Sequence, residues 1–406
     1  GGGFGFWYFF DLLKDNPQNL TRLFTAFYET PTNFVPNGLR WVNPIADMMI
    51  PQRALLFGWS LLFPCLFLLH RGAIKRDTSA FIPLGVLAGA LPLIHTHSFL
   101  ALGIVSGFYL IRSLVKNEGK SQWLGYAKYL GIVLLLALPQ LIFFTFKQSG
   151  GFLKFHLNWA NESDNYIWFY IKNFGLIALL SPVAFLAANK EEKGIVGGAI
   201  LIWLIAELIQ FQPNPYDNNK LLFIAFLYTC GLVGSWLFDA KDRLTRGAAR
   251  NRLSIALLSA TVCATMFLSG GLTLGREYVS EYQLIDADQV AAAEFVKENA
   301  APDATFLTYN NHNNCIAALT GRNIVCGSGS YLFFHGVDYS AREQALSLLY
   351  EEPSTYFGAY SKQYDIDYVF IGSSELANYS IDLPYFADHF DVFYQNGTVT
   401  IYSVNP

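Results

Sequence analysis

Long apolar stretches constrain this chain more than any other feature of its sequence. A helix needs about 20 consecutive apolar residues to cross the hydrocarbon core of a bilayer, and soluble domains rarely contain such runs. Here they recur, separated by short connections that hold many of the Lys and Arg residues. We expect eight membrane segments, each a full span or half of a hairpin: residues 54–70, 80–94, 98–115, 126–146, 166–188, 194–211, 221–238 and 253–274.

The composition changes towards the C-terminus. Of the 406 residues, 53% are hydrophobic and 14% are charged, whereas about a quarter are charged in an ordinary soluble domain. From about residue 275, "DADQVAAAEFVKENA" has helical spacing and "DYVFIG" and "TVTIYSV" have strand character. We therefore predict a mainly α fold: a polytopic transmembrane helix bundle with outer loops over residues 1–274, then a small extracytoplasmic α/β domain over residues 275–406.

Lys and Arg mark alternate connections between the predicted segments. They occur around residues 71–76, 112–120, 190–193 and 241–252. Because cytoplasmic loops carry an excess of Lys and Arg, these four connections are predicted to face the cytoplasm. The turn at His95, the stretch 211–220 and the domain from residue 275 then lie on the outer side.

Two cations stand where helix electrostatics and the charge bias both disfavour them. Arg53 and Lys220 each lie at the predicted outer start of a membrane segment. A helix N-terminus has unpaired N–H groups, and an added cation completes an anion site of the kind that binds phosphate. We expect Arg53 and Lys220, with Asn218 and Asn219, to bind a phosphate at lipid head-group depth. The alternative is that both cations only extend to lipid head groups.

Acidic and histidine side chains accompany these cations. Asp47 precedes Arg53 and Asp217 precedes Lys220, and each carboxylate is either a structural ion-pair partner or a general base. His95 and His97 lie in the turn "LPLIHTHSFLALG", between two apolar runs. They hydrogen-bond to substrate, bind a metal ion, or are satisfied within the turn.

The C-terminal domain contains an amide-rich loop, "TYNNHNNCIAALTGR". Its Asn residues and His312 either hydrogen-bond to sugar hydroxyls or cap the following helix. Cys315 and Cys326 lie nearby, and the sequence leaves open whether they pair. The cysteines follow no metal spacing, so no metal site or cofactor is predicted, although a divalent ion is left open. A net charge of −4 gives no basic face for nucleic acid.

Several motifs, taken in order, resemble those of a known family. They are "GGGFGFWYFF", "NPIADMMIPQRALLFGW", "LPLIHTHSFLALG", "QPNPYDNNKLLF" and "AAAEFVKENAAPDATFLTYNNHNNCIAALTGRNIV". Together they resemble prokaryotic polytopic membrane glycosyltransferases of the GT-C type. Residue 1 is Gly rather than Met, and no signal peptide is visible, so we expect an N-terminally truncated chain.

The resemblance implies a sugar transferred from a polyprenyl-phosphate carrier to a glycan, lipid or protein acceptor at the outer face of the cytoplasmic membrane. It supports Arg53, Asp217 and Lys220 as site residues without assigning their roles. The catalytic carboxylate of the family lies in the first outer loop, which has no match here, so Asp47 and Asp217 are candidates from their position alone. Two alternatives are an O-antigen polymerase or ligase and a non-enzymatic transporter or lipid-glycan binding protein.

Overall fold

The fold was analysed in a computed structural model. It describes residues 3–15, 21, 29–146, 153–161, 164–212, 214–247 and 252–404. The chain divides into two compact units, Gly1–Ser280 and Glu281–Pro406. The first is a helical bundle and the second contains a mixed sheet, so the predicted fold class is confirmed.

The first unit is built from long helices. They are α1 Gly5–Asp15, α2 Arg53–Ala73, α3 Phe81–Ile94, α4 Thr96–Val115, α5 Lys120–Gln140, α6 Tyr166–Phe174, α7 Leu176–Ala187, α8 Lys190–Leu208, α9 Asn219–Gly247 and α10 Arg252–Val279. Two short strands, β1 Lys154–Phe155 and β2 Ile209–Gln210, pair antiparallel. The turn Pro44–Met49 precedes α2 and the turn Pro215–Asn218 precedes α9. Both lie at the end of the bundle that holds the candidate site.

Helices cover all eight predicted membrane segments, but not all are full spans. Among the described residues, α2, α4, α5, α9 and α10 are long and apolar enough to cross a bilayer, so the protein is an integral membrane protein. The segment predicted at 166–188 is instead two helices, α6 and α7, bent by 97°. The bend occurs at Gly175, whose φ of 58° is readily adopted only by glycine.

Two further predicted segments form helices that do not meet the criterion for a full span. The apolar helix Thr78–Ile94, which includes α3, is shorter than a full span. Helix α8 begins with the sequence Lys190–Glu191–Glu192–Lys193, capped by Asn189, so its apolar part is too short to meet the same criterion. Helices therefore occupy all eight predicted segments, and among the described residues five of these helices are long and apolar enough for a complete crossing.

Three of the basic connections meet at one end of the bundle. Lys75 forms an ion pair with Glu191 (2.6 Å), and Arg76 lies 3.6 Å from Glu118. These pairs link the connections that follow α2, α4 and α7, three of the four predicted to share a side of the membrane. The turn at His95, one helix length away, belongs to the opposite end. Which end faces the cytoplasm remains a prediction.

The second unit is a sheet between helices. Its strands are β3 Thr305–Leu307, β4 Asn323–Ile324, β5 Tyr368–Ile371, β6 Asp391–Asn396 and β7 Val399–Ser403, in the order β4-β3-β5-β7-β6. Strands β4, β3 and β5 run parallel, whereas β7 is antiparallel to both β5 and β6. The helices are α11 Ala287–Asn299, α12 Gly329–Phe334, α13 Ser340–Glu351, α14 Pro353–Gln363, α15 Ser373–Asn378 and α16 Leu383–His389.

Each face of this sheet packs against its own apolar cluster. Phe306 and Phe370 lie in the cluster that includes Val296 of α11. Val369, next to Phe370, lies in the cluster that includes Leu346 of α13. Because successive side chains of a strand point to opposite faces, neighbouring residues of β5 enter different clusters. Cys315 and Cys326 are buried free thiols and belong to different clusters.

A buried carboxylate joins the loops that follow β3 and β5. Glu375 is 2% exposed. Its two oxygens accept from the backbone N–H groups of Tyr309 (2.8 Å) and Gly372 (3.0 Å). Burial raises the pKa of Glu375, and these N–H groups oppose that rise. The carboxylate thus holds two loops at the carboxyl ends of adjacent parallel strands.

We expect the substitution Glu375→Gln to destabilise the second unit. A glutamine offers one acceptor oxygen, so its amide group would face one of the two N–H groups and leave it unpaired, at a cost of about 1–3 kcal/mol. Amide hydrogen exchange at Tyr309 and Gly372 should accelerate, and the exposed substitution Glu298→Gln serves as the control. Unchanged exchange at both amides would contradict this role.

Candidate functional site

His95 marks a break between two helices at one end of the bundle. It follows Pro92 in the last turn of α3 and adopts an extended conformation, with φ −160° and ψ 98°, before α4 begins at Thr96. Its ring packs against α2 at Gly58, where a Cβ atom would lie 2.3 Å from the His95 Cβ. A glycine at position 58 therefore makes room for the histidine inside the bundle.

Both histidines of the turn are buried and keep unused hydrogen-bonding capacity. His95 is 7% exposed and His97 is 6% exposed. The two rings are 5.3 Å apart, and His95 Nδ1 lies 2.8 Å from Ser98 Oγ. The Nε2 atom of each ring has no hydrogen-bond partner among the described residues. Most buried polar atoms in proteins have a partner, so two such atoms side by side call for an explanation.

Lys220 lies close enough to act on both rings electrostatically. Its side chain is 14% exposed, and its Nζ atom lies 3.2 Å from Asp217 Oδ1. Burial, followed by the Lys220 ammonium, lowers the pKa of His95 to about 4. His95, in the turn between two helices, is therefore neutral near pH 7 and its Nε2 atom can either donate or accept.

The packing of α4 against α8 sets the depth of this group. A Cβ atom at Gly198 would lie 3.1 Å from Val105 Cγ1, and one at Gly194 would lie 3.7 Å from Arg112 Nε. Residue numbers therefore rise along α4 as they fall along α8. The helices are therefore antiparallel, and counting eight residues along each from this contact places His97 level with Ala206. The site thus lies at the C-terminal end of α8, where the "QPNPYDNN" stretch begins.

Asn218 has a structural role in that stretch. It is fully buried, and its Nδ2 atom donates to the carbonyl oxygens of Ala206 (3.0 Å) and Ile209 (2.7 Å). Its Oδ1 atom accepts from the N–H of Phe211 at 3.2 Å. Because these bonds occupy both amide protons, we assign Asn218 to the anchoring of the loop and leave it out of the ligand site.

Asn219 differs from its neighbour. It is also fully buried, and neither its Oδ1 nor its Nδ2 atom makes a well-formed hydrogen bond among the described residues, although its side chain lies within weak hydrogen-bonding reach of the Tyr216 hydroxyl. It lies beside Tyr216, whose hydroxyl donates to the carbonyl of Arg40 at 3.0 Å. Asn219 therefore remains a candidate ligand residue, adjacent in the chain to Lys220.

Arg53 is separated from the histidines by its position on α2. Its side chain is exposed. Five residues of helix correspond to a rotation of about 140°, so Arg53 lies on nearly the opposite side of α2 from Gly58, which contacts His95. The structure thus brings Lys220, His95 and His97 together without Arg53, whose exposed position suits the alternative of head-group contact.

Asp47 is engaged within its own turn. Its Oδ2 atom accepts from the N–H of Asn43 at 2.8 Å, and Asn43 Oδ1 accepts from Ile45 N–H at 2.9 Å. Burial raises the pKa of Asp47, and the Arg276 guanidinium opposes that rise. Asp47 therefore interacts electrostatically with Arg276, whereas Asp217 forms an ion pair with Lys220.

One buried carboxylate at this end was not singled out from the sequence. Glu207, one residue beyond Ala206 in α8, is 3% exposed. Tyr170 donates to its Oε1 atom, and the Tyr166 side chain and the Asn158 backbone also lie within hydrogen-bonding reach of the carboxylate, although Oε2 makes no well-formed hydrogen bond among the described residues. An acidic residue near the end of a predicted membrane segment is itself a signal of function, and it could have placed Glu207 among the candidates.

The remaining predicted residue, His312, belongs to the second unit. It is exposed, and its ring lies 5.3 Å from that of Tyr331. Over the described ranges, no three His, Cys, Asp or Glu side chains are grouped closely enough to hold a metal ion. Whether a divalent ion takes part remains open.

We expect Gly58→Ala to disturb the site through packing alone. The added Cβ atom must displace the His95 ring, and overpacking of this kind costs about 1–3 kcal/mol. The apparent melting temperature of the purified protein should fall. Gly131→Ala in α5, where a Cβ atom meets nothing within 4 Å, should leave it unchanged or raise it slightly, because alanine favours helix. Equal melting temperatures for the two variants would rule out this contact.

The comparisons with known proteins give limited information. No known protein family matches the sequence, and no curated protein sequence matches it. One similar solved structure is the oligosaccharyltransferase of Archaeoglobus fulgidus tethered to an acceptor peptide containing the NVT sequon. The identity is 12% and the TM-score is 0.39, over 82% of this chain and 48% of the other. The chain spans about half the length of that protein, and a TM-score this low carries no argument about function.

Proposed function

We propose that the protein is a membrane glycosyltransferase that binds the phosphate of a polyprenyl-phosphate sugar donor through Lys220, His95 and His97. One observation carries this proposal. Two buried imidazoles, each with an unpartnered Nε2 atom, lie within electrostatic reach of the Lys220 ammonium at one end of a membrane helix bundle. A phosphate at head-group depth supplies the acceptor oxygens and the negative charge that these groups lack.

The electrostatics favour an anionic ligand. Lys220 adds one positive charge in a largely buried position, where charge interactions are stronger than in water. The neutral His95 adds a donor without a second buried positive charge. Asp217 holds the ammonium from one side, leaving two of the three N–H groups of Lys220 for a ligand. Arg53, at the exposed start of α2, would reach the head-group region rather than this phosphate.

The same arrangement suits glycosyl transfer. In that reaction the bond between the anomeric carbon and the phosphate oxygen breaks, and the acceptor oxygen forms the new bond and loses its proton to a base. Negative charge grows on the leaving phosphate, so a preorganised ammonium stabilises the transition state more than the ground state. Asp47, Asp217 and Glu207 are the candidate carboxylates for the general base.

The membrane orientation completes the proposal. With the connections around Lys75 and Glu118 on the cytoplasmic side, His95 and Lys220 lie at the outer leaflet of a prokaryotic cytoplasmic membrane, and the second unit is extracytoplasmic. The acceptor would be a glycan, a lipid or a protein.

A non-enzymatic alternative has one observation in its favour. The helix pair α6–α7 is bent by 97° at Gly175, and discontinuous helices are typical of transporters. A transporter or lipid-glycan binding protein would use the same phosphate site without bond cleavage. An O-antigen polymerase or ligase would share both the donor and the site.

We expect Lys220→Ala to weaken the binding of undecaprenyl phosphate to the protein in nanodiscs by about 10- to 150-fold. Loss of one hydrogen bond to a charged group costs about 1.5–3 kcal/mol. His95→Ala and His97→Ala should each weaken binding less. Lys154→Ala, which removes an exposed cation from β1, is the control and should bind as the unchanged protein does.

Two comparisons separate the alternatives. Undecaprenol, which lacks the phosphate, should bind all variants equally weakly, and full affinity of Lys220→Ala for the phosphate would remove Lys220 from the site. A labelled lipid-phosphate sugar then distinguishes the functions. Release of undecaprenyl phosphate with transfer of the label supports a transferase, whereas binding without cleavage supports the transporter.

A further inference from the structure

The topology of the second unit places an opening between β3 and β5. After β3 the chain continues to β4, which forms one edge of the sheet. After β5 it continues to β6 and β7, which lie at the other edge. Adjacent parallel strands whose connections diverge in this way form a crevice outside their carboxyl ends. In open α/β sheets, ligands bind in that crevice. The residues after β3 and β5 are therefore the first place to look for a second site.

Polar and aromatic side chains converge there. The rings of Tyr309, after β3, and Tyr379, after β5 and α15, are 5.8 Å apart. Asn310 Nδ2 donates to Glu343 Oε1 at 3.1 Å. The Tyr379 hydroxyl lies within the electrostatic reach of both Tyr309 and Glu343. Tyr309, Asn310 and Tyr379 are half-buried and Glu343 is exposed, so the group is open to solvent on one side.

The loop that contains Tyr309 and Asn310 is held in place by hydrogen bonds from Asn314. Asn314, 7% exposed, donates to Thr308 Oγ1 (2.8 Å) and to the carbonyl of Tyr309 (3.0 Å). Its Oδ1 atom accepts from the N–H of Ala317, at the start of the next helical turn. Of the amide-rich stretch, Asn314 therefore has the capping role, whereas Asn310 faces the crevice.

The charges of the crevice argue against a phosphate. In nucleotide-binding folds the backbone N–H groups at this edge bind phosphate oxygens. Here the carboxylate of Glu375 already accepts from the N–H groups of Tyr309 and Gly372. A second carboxylate, Glu343, lies beside Asn310. Arg342, next to Glu343, is already engaged, because it donates to the Val325 carbonyl at 2.6 Å and its guanidinium lies over the Tyr364 ring. An anion would therefore meet like charge instead of free donors.

We propose that the second unit binds a neutral carbohydrate in this crevice. Sugar hydroxyls would donate to Glu343 and would exchange hydrogen bonds with Asn310 and the Tyr379 hydroxyl. The Tyr309 ring supplies an apolar surface for the C–H face of the sugar. This site is separate in the chain from Lys220 and does not depend on the proposed function of the first unit.

The test is saturation-transfer NMR on the full chain in nanodiscs, free of glycoside detergents. The probes are the methyl glycosides of glucose, galactose, mannose and N-acetylglucosamine. At least one should receive saturation, and Asn310→Ala or Glu343→Gln should weaken its binding by about 3- to 10-fold. Tyr379→Phe, which removes only the hydroxyl, should act in the same direction.

The controls separate this site from general effects. Asn299→Ala removes an exposed amide that bonds only to its own helix, at the Phe295 carbonyl, and should bind as the unchanged protein does. Lys220→Ala should also leave glycoside binding unchanged. Inorganic phosphate should not compete. Displacement by phosphate, the absence of transfer to every glycoside, or full binding by both the Asn310 and the Glu343 variants of a protein with unchanged melting temperature would overturn the proposal.

Discussion

A polar group placed in hydrocarbon without a partner costs several kcal/mol, and this constraint governs the first unit. Irregular backbone at the site end of the bundle is accordingly tied down. The Trp159 indole donates to the Ala206 carbonyl at 2.9 Å, and Asn218 donates to the same oxygen at 3.0 Å. His156 lies 3.1 Å from Gln210 Oε1, next to the short β1–β2 ladder. The Nε2 atoms of His95 and His97 are exceptions, because neither has a hydrogen-bond partner among the described residues. A bound ligand would satisfy them.

The fold class followed from local properties of the sequence. Apolar length and the period of apolar residues are set within one segment, so the helices and the α/β unit could be predicted without knowledge of their partners. The break at Gly175 could not, because glycine is common in membrane helices and becomes a bend only where packing requires it. The basic connections predicted which loops lie at the same end of the bundle, and the ion pair of Lys75 with Glu191 joins two of these connections directly.

The site was predictable in part, and the reason lies in the helix faces. Lys220 and the histidines were selected as candidates because each is a polar group in an apolar setting. The face occupied by Arg53 was not readable, because α2 is apolar on every side: Phe57 and Phe67 are 65% and 60% exposed, while Leu62 is fully buried. In a membrane, lipid-facing and packed positions have similar composition. Glu207 carried the same local signal, but its burial against Tyr170, 37 residues away in the chain, is visible only in the fold.

A comparison within the first unit shows why Lys220 stands out. Lys172 is 2% exposed, and it forms an ion pair with Asp164 and also donates to the carbonyl of Asn37. Its ammonium also lies over the Tyr8 ring at 5.3 Å, so its environment is complete. The Lys220 side chain is 14% exposed, against 3% for Lys172, and among the described residues Asp217 is its one bonded partner. An ammonium that serves structure has its donors used, as Lys172 does. Lys220 instead keeps unused donors within electrostatic reach of two imidazoles with unpartnered Nε2 atoms, and the proposed anion site rests on this contrast.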